Sequence, residues 1–279
     1  MNLAVGFFDG VHLGHRRILA RADAALTFRN HPSTVLAPER VPALLMTPET
    51  RLAAIRSILG NDAARALDFT PALAAEPPDA FVDWLRATYP DLSTIRCGPN
   101  WSFGAKGAGD ADFLRARGLQ VEVEPFAELD GEPISSTRAR AAVASGDLDL
   151  AARMLGRPWS LEGVLFAGKA LGRSLGFPTL NVRPSAGLVR PPKGVYAVRT
   201  ALGLGVANFG CAPTTGADAW QEPVLEVHLL EAPDAVPSAG STLSIEMLRF
   251  IRSERTFPSL DALTDQIARD IAMVRAFRF

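Results

Sequence analysis

Residues 6–15 read Gly-Phe-Phe-Asp-Gly-Val-His-Leu-Gly-His, and this stretch decides the fold of the first half of the chain. A short apolar segment precedes it at residues 3–5, and a stretch with helical character follows at residues 16–22. The order is therefore strand, tight glycine turn and helix. Such an arrangement presents backbone N–H groups and the positive end of a helix to a phosphate. The stretch predicts a phosphate site on an α/β fold.

Two histidines in this stretch are candidate catalytic residues. His12 and His15 are three residues apart, so both side chains can lie on one face of the first helical turn. Imidazoles there can bind or protonate phosphate oxygens without a side-chain nucleophile. The alternative is a glycine turn that carries two surface histidines. On the functional interpretation, the nucleotide site also includes Gly6, Phe7, Asp9 and Gly14.

The bulk composition excludes several classes of protein. A chain of 279 residues can bury a large core and is expected to form two domains. Its formal net charge of −1 gives no general attraction to nucleic acid or membranes. No apolar run reaches the ~18 residues of a membrane span, and no secretory signal is apparent. Cys97 and Cys211 lack metal-site spacing and fit a reducing compartment. We expect a cytoplasmic protein with small-molecule partners, as a monomer or weak oligomer.

The first half of the chain alternates strands with helices. Apolar segments predict strands at residues 3–5, 25–28, 66–69, 94–97 and 121–124. Thr47 is placed to cap a helix that ends at Gly60, and Ser136 to cap one over residues 137–145. Further helices are expected after Pro77 and over residues 148–155. This alternation predicts a parallel sheet covered on both faces, which binds ligands at the carboxyl ends of its strands.

After Arg157 the pattern changes to repeated short strands. The predicted strands are residues 159–167, 194–200, 204–209, 224–230 and 242–250, separated by Gly, Pro, Asn and Asp. This pattern predicts an antiparallel barrel. A closing helix capped by Ser259 has the apolar stripe Leu263, Ile267, Ile271 and Val274. The predicted domains are residues 1–157 and 158–279.

Three further segments follow predicted strands of the first domain. His31 precedes Pro32 and is held extended; it either points into the cleft of His12 or is structural. Asn100 can donate hydrogen bonds to a ribose or a base and accept hydrogen bonds from them, whereas the neighbouring Trp101 and Phe103 are expected to pack.

Residues 134–140 read Ile-Ser-Ser-Thr-Arg-Ala-Arg. Hydroxyls and arginines at a helix start favour a second phosphate cradle over a solvated surface helix, with the candidates Ser135, Ser136, Thr137 and Arg138.

In the second domain, residues 168–181 read Gly-Lys-Ala-Leu-Gly-Arg-Ser-Leu-Gly-Phe-Pro-Thr-Leu-Asn. The glycines permit a loop that closes over phosphates, although an ordinary turn is the alternative. The candidate nucleotide ligands of this loop are Gly168, Lys169, Gly172 and Arg173. Thr179 and Asn181 share one strand face, and their oxygens suit Mg²⁺ bound to nucleotide phosphates.

Glu226 is the candidate general base of the second domain. It shares a strand face with His228, while the other face is apolar. A glutamate among apolar residues can have a raised pKa and accept a proton. The alternative is an ordinary exposed strand face, and this segment alone does not choose between them.

Together these motifs resemble the bifunctional bacterial riboflavin kinase/FAD synthetase family nearly from end to end. Eight family patterns are matched in order: GxFDGVHxGH, TFxxHP, Gx(D/N)FxFG with Trp101 for the usual Phe, ISSTRxR, LGRP, GxxxGRxLGFPTxN, GVYAV and LEVHLL. The matching segments are residues 6–15, 27–32, 98–104, 134–140, 155–158, 168–181, 194–198 and 225–230.

The resemblance implies a Rossmann-like nucleotidyltransferase domain and a riboflavin kinase barrel, with ATP, Mg²⁺, riboflavin and FMN as ligands. It implies that Glu226 deprotonates the ribityl hydroxyl, and that Thr179 and Asn181 bind the Mg–nucleotide. It also implies that His12, His15 and residues 135–138 hold the triphosphate in adenylyl transfer to FMN, with Asn100 contacting nucleotide or pyrophosphate.

The chain departs from the family in four places, one of which is a short link at residues 202–206 in the kinase half. Only about ten residues separate His15 from the second predicted strand, Pro133 replaces a basic residue, and residues 233–240 replace the usual Asp-Leu-Tyr-Gly. Four hypotheses therefore stay open: a bifunctional enzyme, a paralogue with only the kinase active, a non-catalytic flavin- or nucleotide-binding regulator, and a different nucleotidyltransferase.

Overall fold

The computed structural model of the protein describes residues 1–167, 179–210, 223–231, 233 and 235–277. The chain divides into two compact units. Unit 1 comprises Met1–Ala139 and Met154–Gly156, and unit 2 comprises Arg140–Arg153 and Arg157–Phe279. The domain boundary proposed after residue 157 stays a prediction.

The described residues form the following elements in chain order. The strands are β1 (Asn2–Val5), β2 (Ala24–Phe28), β3 (Ala64–Leu67), β4 (Thr94–Cys97), β5 (Gln120–Val123), β6 (Glu128–Leu129), β7 (Glu132–Pro133), β8 (Trp159–Phe166), β9 (Thr179–Pro184), β10 (Gly194–Thr200), β11 (Gly203–Gly210), β12 (Val224–Leu229) and β13 (Thr242–Arg252). The helices are α1 (Leu13–Leu19), α2 (Ser33–Leu36), α3 (Pro48–Leu59), α4 (Pro71–Ala74), α5 (Pro78–Thr88), α6 (Ala111–Ala116), α7 (Ser136–Ser145), α8 (Leu148–Leu155) and α9 (Leu260–Ala276), with 3₁₀ turns at Asp9–Val11, Pro38–Arg40 and Ala105–Gly107.

Unit 1 is built on a parallel sheet of five strands in the order β3-β2-β1-β4-β5. The central strand β1 is buried from Leu3 to Val5, as expected for a strand that helices cover on both faces. The predicted α/β class and parallel sheet are confirmed, with β3 starting two residues earlier than expected because Ala64 pairs with Ala25. The glycine turn follows β1, at the carboxyl edge of the sheet.

The helix ends of unit 1 show which local predictions hold. Thr47 caps α3, accepting a hydrogen bond from the Thr50 amide at 3.3 Å, and Gly60 ends the helix in the left-handed region. The expected cap of α7 is wrong by one residue. The Ser135 hydroxyl accepts from the Arg138 amide at 3.2 Å, whereas the Ser136 hydroxyl donates to the Asp9 carbonyl. Ser135 therefore occupies the N-cap position, and the hydroxyl of Ser136 contacts the glycine turn.

Unit 2 contains a closed barrel of six antiparallel strands in the order β10-β11-β12-β9-β8-β13. Pairing of β10 with β13 closes the barrel. On β12, Leu225, Val227 and Leu229 are buried while Glu226 and His228 lie on the other face. The predicted barrel and the predicted alternation along this strand are confirmed.

The C-terminal helix α9 begins as predicted, because the Ser259 hydroxyl accepts from the Ala262 amide at 3.2 Å. Val274 of the expected apolar stripe is fully buried. The same helix also buries Asp270, which pairs with Arg252 of β13 at 2.8 Å and accepts a hydrogen bond from Gln266. Along the described part of the chain, no helix has both the length and the apolar character that crossing a membrane requires.

Candidate active sites

The glycine turn after β1 has an unusual backbone. Phe8, Gly10 and Val11 have φ angles of 57°, 77° and 44°. Left-handed φ is rare for non-glycine residues and least favourable for β-branched ones such as Val11. At Gly10 a Cβ atom would lie 2.6 Å from Cδ1 of Leu45. Strain of this kind persists only where surrounding structure enforces it, and it clusters at functional sites.

Asp9 anchors the turn to two distant segments. The buried carboxylate accepts a hydrogen bond from the Leu45 amide at 2.9 Å, and the Asp9 carbonyl accepts from the Ser136 hydroxyl at 2.9 Å. Two of the predicted site residues, Asp9 and Ser136, are therefore in direct contact. They are the surrounding structure that holds the strained backbone.

His12 and His15 are stacked at the start of α1, with ring centroids 3.5 Å apart and planes 18° from parallel. His12 is the N-cap, because its Nδ1 accepts a hydrogen bond from the His15 amide at 3.3 Å. α1 therefore begins at Leu13, earlier than the predicted start at residue 16, since an imidazole nitrogen can cap a helix as a carboxylate does. At Gly14 a Cβ would crowd the His12 imidazole at 3.2 Å.

The two histidines are uncharged at neutral pH. Burial lowers the pKa of His12 to about 4, although a backbone hydrogen bond opposes part of this shift. Burial also lowers the pKa of His15 well below its usual range. The charge of Arg51 acts in the same direction, as does His12 when its ring is protonated. With Nδ1 of His12 accepting, the proton of the neutral ring lies on Nε2. The pair therefore offers hydrogen bonds, not positive charge, to a phosphate.

Phe7 forms a wall beside the turn. Its carbonyl accepts a hydrogen bond from the Thr27 hydroxyl at 3.0 Å, and the His31 ring meets its ring edge-on at 4.7 Å. His31 is itself held by Ser33, whose amide donates to Nδ1 at 3.1 Å. The guanidinium carbon of Arg51 lies over the ring of Phe7, 4.0 Å from the ring centroid. The structure thus brings His31 next to the turn, and it adds Arg51, which the sequence had not indicated.

The second predicted phosphate cradle is less open than expected. The Arg138 guanidinium donates to the carbonyls of Leu129 and Glu132 at 3.0 and 3.1 Å, and it pairs with the Glu132 carboxylate at 3.1 Å. These contacts hold the β6–β7 hairpin. Thr137 is exposed in the first turn of α7. The phosphate-binding role of residues 135–138 stays a prediction.

Asn100 is exposed in the turn after β4. Its environment differs from that of the two aromatic residues that follow it in the chain. Trp101 and Phe103 stack with ring centroids 4.9 Å apart and pack against the core of unit 1. The expected packing role of these aromatics is confirmed, while the role of Asn100 as a nucleotide ligand stays a prediction.

In unit 2, the candidate kinase residues lie together on one face of the barrel wall. Thr179 and Asn181 of β9 are half-buried, while Leu180 and Val182 between them are buried. The β9–β12 register pairs Asn181 with Glu226 and Thr179 with His228. Cross-strand partners on one face are near neighbours. Strand pairing therefore brings the predicted base next to the predicted metal ligands.

Two further residues flank Glu226 on its other side. The β11–β12 register pairs Asn208 with Glu226, and the Asn208 side-chain amide donates to the Glu254 carboxylate at 3.2 Å. Glu254 occupies the space that a side chain at residue 210 would fill. A Cβ atom on Gly210 would lie 1.8 Å from Oε1 of Glu254. The only signal for Asn208 in the sequence was its alternation with buried residues on β11.

The surroundings of Glu226 favour its protonated form. Glu226 is exposed on the strand face, yet nearby protein atoms partly desolvate its carboxyl. This desolvation and the negative charge of Glu254 both raise its pKa. A glutamate in this condition accepts a proton more readily than a solvated one. The geometry and the charge are those of a candidate general base.

Comparison with known proteins matches both halves of the chain to family models. Residues 1–138 match the FAD synthetase family model, and residues 155–278 match the riboflavin kinase family model. Curated proteins named bifunctional riboflavin kinase/FMN adenylyltransferase are similar over nearly the whole chain. The one from Pseudomonas fluorescens is 37% identical, covering 98% of this chain and 91% of its own. The relative from Escherichia coli K12 is 36% identical, covering 99% of this chain and 92% of its own. The relative from Bacillus subtilis is 33% identical, covering 96% of this chain and 89% of its own.

The chain belongs to the bifunctional riboflavin kinase/FMN adenylyltransferase family. The resemblance that the sequence motifs indicated is confirmed. Proteins of these two kinds take ATP, riboflavin and FMN as substrates. Unit 1 carries the adenylyltransferase domain and the barrel is the riboflavin kinase domain.

A solved structure has the same fold as this family member. The crystal structure named macrolide-efflux protein from Streptococcus pneumoniae matches with a TM-score of 0.85 and 26% sequence identity, covering 99% of this chain and 94% of its own. A closely similar fold therefore also occurs in a crystal structure.

The kinase domain of this family implies Mg²⁺ bound with ATP. The hydroxyl of Thr179 and the side-chain amide oxygen of Asn181 are hard donors on one strand face, which fits Mg²⁺. Within the residues that the structure describes, three or more His, Cys, Asp or Glu side chains do not cluster as a metal site. The other candidates of the kinase loop, Gly168, Lys169, Gly172 and Arg173, lie outside the described residues.

Proposed function

We propose that this chain makes FAD from riboflavin in two steps, one at each site. The barrel would phosphorylate riboflavin to FMN, and the glycine turn of unit 1 would join FMN to the AMP part of a second ATP. The observation that carries the proposal is that residues bearing the chemistry converge at both sites: the stacked histidines on the strained turn, and the rung Asn208–Glu226–Asn181 across three barrel strands.

At the glycine turn, a phosphate oxygen of FMN would attack the α-phosphorus of ATP. A new P–O bond forms, the bond between the α-phosphorus and the bridging oxygen breaks, and pyrophosphate leaves. No covalent enzyme intermediate is needed, so the protein positions the reactants and stabilises charge. His12 and His15 would donate hydrogen bonds from neutral rings to phosphate oxygens, and Asp9 with Ser136 would keep the turn in place.

In the barrel, the ribityl 5′-hydroxyl of riboflavin would attack the γ-phosphorus of ATP, and ADP would leave. Glu226 would accept the hydroxyl proton. Thr179 and Asn181 would hold Mg²⁺, which neutralises phosphate charge when it is bound with the nucleotide. Asn208 would orient the base, because it lies beside Glu226 and its amide is held by Glu254.

The proposal includes a cytoplasmic protein that acts as a monomer or weak oligomer, without nucleic acid or membrane as partner. The buried free thiol of Cys97 supports a reducing compartment. Burial raises the pKa of this thiol to about 11, so it is an inert side chain rather than a nucleophile.

The test is to incubate the purified chain with ATP, Mg²⁺ and either riboflavin or FMN, and to separate the flavins by chromatography. We expect FMN and FAD from riboflavin, and FAD from FMN. FMN without any FAD would indicate a paralogue in which only the kinase is active. No product from either substrate would favour a binding regulator or another substrate. Glu226→Gln and His12→Ala are paired controls, because each removes one proposed activity and leaves the other.

A further inference from the structure

Arg51 of α3 is a buried cation beside the glycine turn. Its residue is 1% exposed. One terminal nitrogen, Nη2, donates to the carbonyls of Phe28 and Arg29, the latter at 3.0 Å. Burial lowers the pKa of Arg51 to about 10, although Asp9 and Glu49 oppose the shift. The guanidinium is therefore still charged at neutral pH.

The other two nitrogens of Arg51 are not satisfied by hydrogen bonds. Nε and Nη1 are buried and have no hydrogen-bond partner within the described residues. The guanidinium lies instead against the ring of Phe7, at 4.0 Å. A cation–π contact offsets only part of the cost of burying a charge. An incompletely paired buried charge is destabilising, so its retention calls for a functional reason.

The neighbouring candidates do not supply positive charge to the site. His12 and His15 are neutral because of burial, and the guanidinium of Arg138 is engaged by the carbonyls and carboxylate of the β6–β7 hairpin. The charge of Arg51 reaches the turn, since it is one of the causes that keep His15 unprotonated. In a low-dielectric interior such a charge acts over several ångströms with little screening.

We propose that Arg51 supplies the fixed positive charge of the adenylyl-transfer site, attracting the ATP triphosphate and the pyrophosphate product from behind the Phe7 ring without touching them. The inference rests on the proposed adenylyl transfer in unit 1. Arg51 is a positioning residue, because it acts through its field and through Phe7. Its contacts with the carbonyls of Phe28 and Arg29 hold it at the end of β2, beside Phe7 of the glycine turn.

The experiment compares the full-length chain with Arg51→Met and Arg51→Lys, using Arg56→Met as the matched control. Arg56 lies on the same helix, but its side chain is 42% exposed beside Asp62. Steady-state FAD formation from FMN gives the KM for ATP, the kcat, and the inhibition constant of inorganic pyrophosphate. Riboflavin kinase activity of each sample reports on unit 2, and circular dichroism reports on folding.

We expect Arg51→Met to raise the KM for ATP and the pyrophosphate inhibition constant together, by about tenfold or more, with a smaller change in kcat. Arg51→Lys keeps the charge and stays within about threefold of the parent, and Arg56→Met changes neither constant. A folded Arg51→Met variant with both constants unchanged would overturn the inference. So would a folded Arg51→Lys variant with weakened ATP and pyrophosphate binding, because geometry rather than charge would then matter.

If unit 1 of Arg51→Met does not fold, the Arg51→Lys variant tests the inference instead. A KM for ATP and a pyrophosphate inhibition constant like those of the parent would support the charge role, and larger values would refute it. Failure of the proposed function has a different signature. In that case the parent chain itself makes no FAD from FMN and ATP, whereas failure of the Arg51 inference leaves the parent active and the variant equal to it.

Discussion

The glycine turn and the barrel rung place their candidate phosphoryl-transfer residues in two different ways. At the turn the backbone is strained, with Phe8 and Val11 in the left-handed region, and the candidate residues are the two stacked histidines. In the barrel the backbone is regular, and Glu226 is placed between Asn208 and Asn181 by strand register alone. Desolvation is the main cause of the pKa shifts at both sites. It removes charge from the histidines, whereas it makes the carboxyl a better proton acceptor.

The largest effect is expected at the barrel rung. Glu226→Gln removes the proton acceptor and should lower the riboflavin kinase rate by about 10²–10⁴-fold, while FAD formation from supplied FMN is unchanged. Glu231→Gln, an exposed carboxyl beyond the end of β12, is the matched control and should have no effect. Kinase rates measured by flavin chromatography check this. Full kinase activity in Glu226→Gln would remove the general-base assignment.

At the turn, the loss should depend on hydrogen bonding and not on charge. His12→Ala should reduce FAD formation by about 10²-fold and leave the kinase rate unchanged. His12→Gln retains a donor and should lose less, because the native ring is neutral. Rates of FAD formation at saturating FMN give the comparison. Equal losses in the two variants would contradict the donor role, and normal rates in His12→Ala would remove the phosphate-binding role altogether.

The strained backbone predicts a difference between two left-handed glycines. Gly10→Ala should destabilise unit 1 by about 2–4 kcal/mol, from the conformational cost and from overlap with Leu45. Gly60→Ala should cost only about 1 kcal/mol, because at φ 71° its Cβ meets nothing within 4 Å. Urea unfolding of both variants measures the difference. Similar losses would show that the packing of Leu45 against the turn contributes little.

The smallest effect is a pH dependence with opposite signs at the two sites. Since the folded pKa of His12 is about 4, below the 6.5 of the unfolded chain, the unfolded state binds more protons between these values. Stability from this histidine is therefore present above about pH 6.5 and is lost as the pH falls towards 4. Glu226, with a raised pKa, contributes in the opposite direction.

Thermal unfolding of the parent and of His12→Gln between pH 7 and pH 4 tests this pH dependence. The variant should lose less stability on acidification, because it lacks one of the groups that takes up a proton on unfolding. An identical loss in the two proteins would mean that His12 does not contribute to acid sensitivity.

Much of the fold was predictable because local patterns and burial agreed. The alternation of strands and helices predicted the parallel sheet, Thr47 and Ser259 predicted helix starts, and period-two alternation predicted the two faces of β12. The expected cap at Ser136 was wrong, because two adjacent serines can each cap a helix and only the contact of Ser136 with Asp9 separates their roles.

The sequence by itself determined the two classes of domain, the family, and the residue types at each site, because these follow from periodicity and from motifs that are contiguous in the chain. Tertiary structure alone decided that Arg51 lies under Phe7, that Arg138 serves the β6–β7 hairpin, and that Glu254 reaches Glu226 through Asn208. These contacts join segments far apart in the chain, and the charge state of each group depends on how completely the folded chain removes it from water.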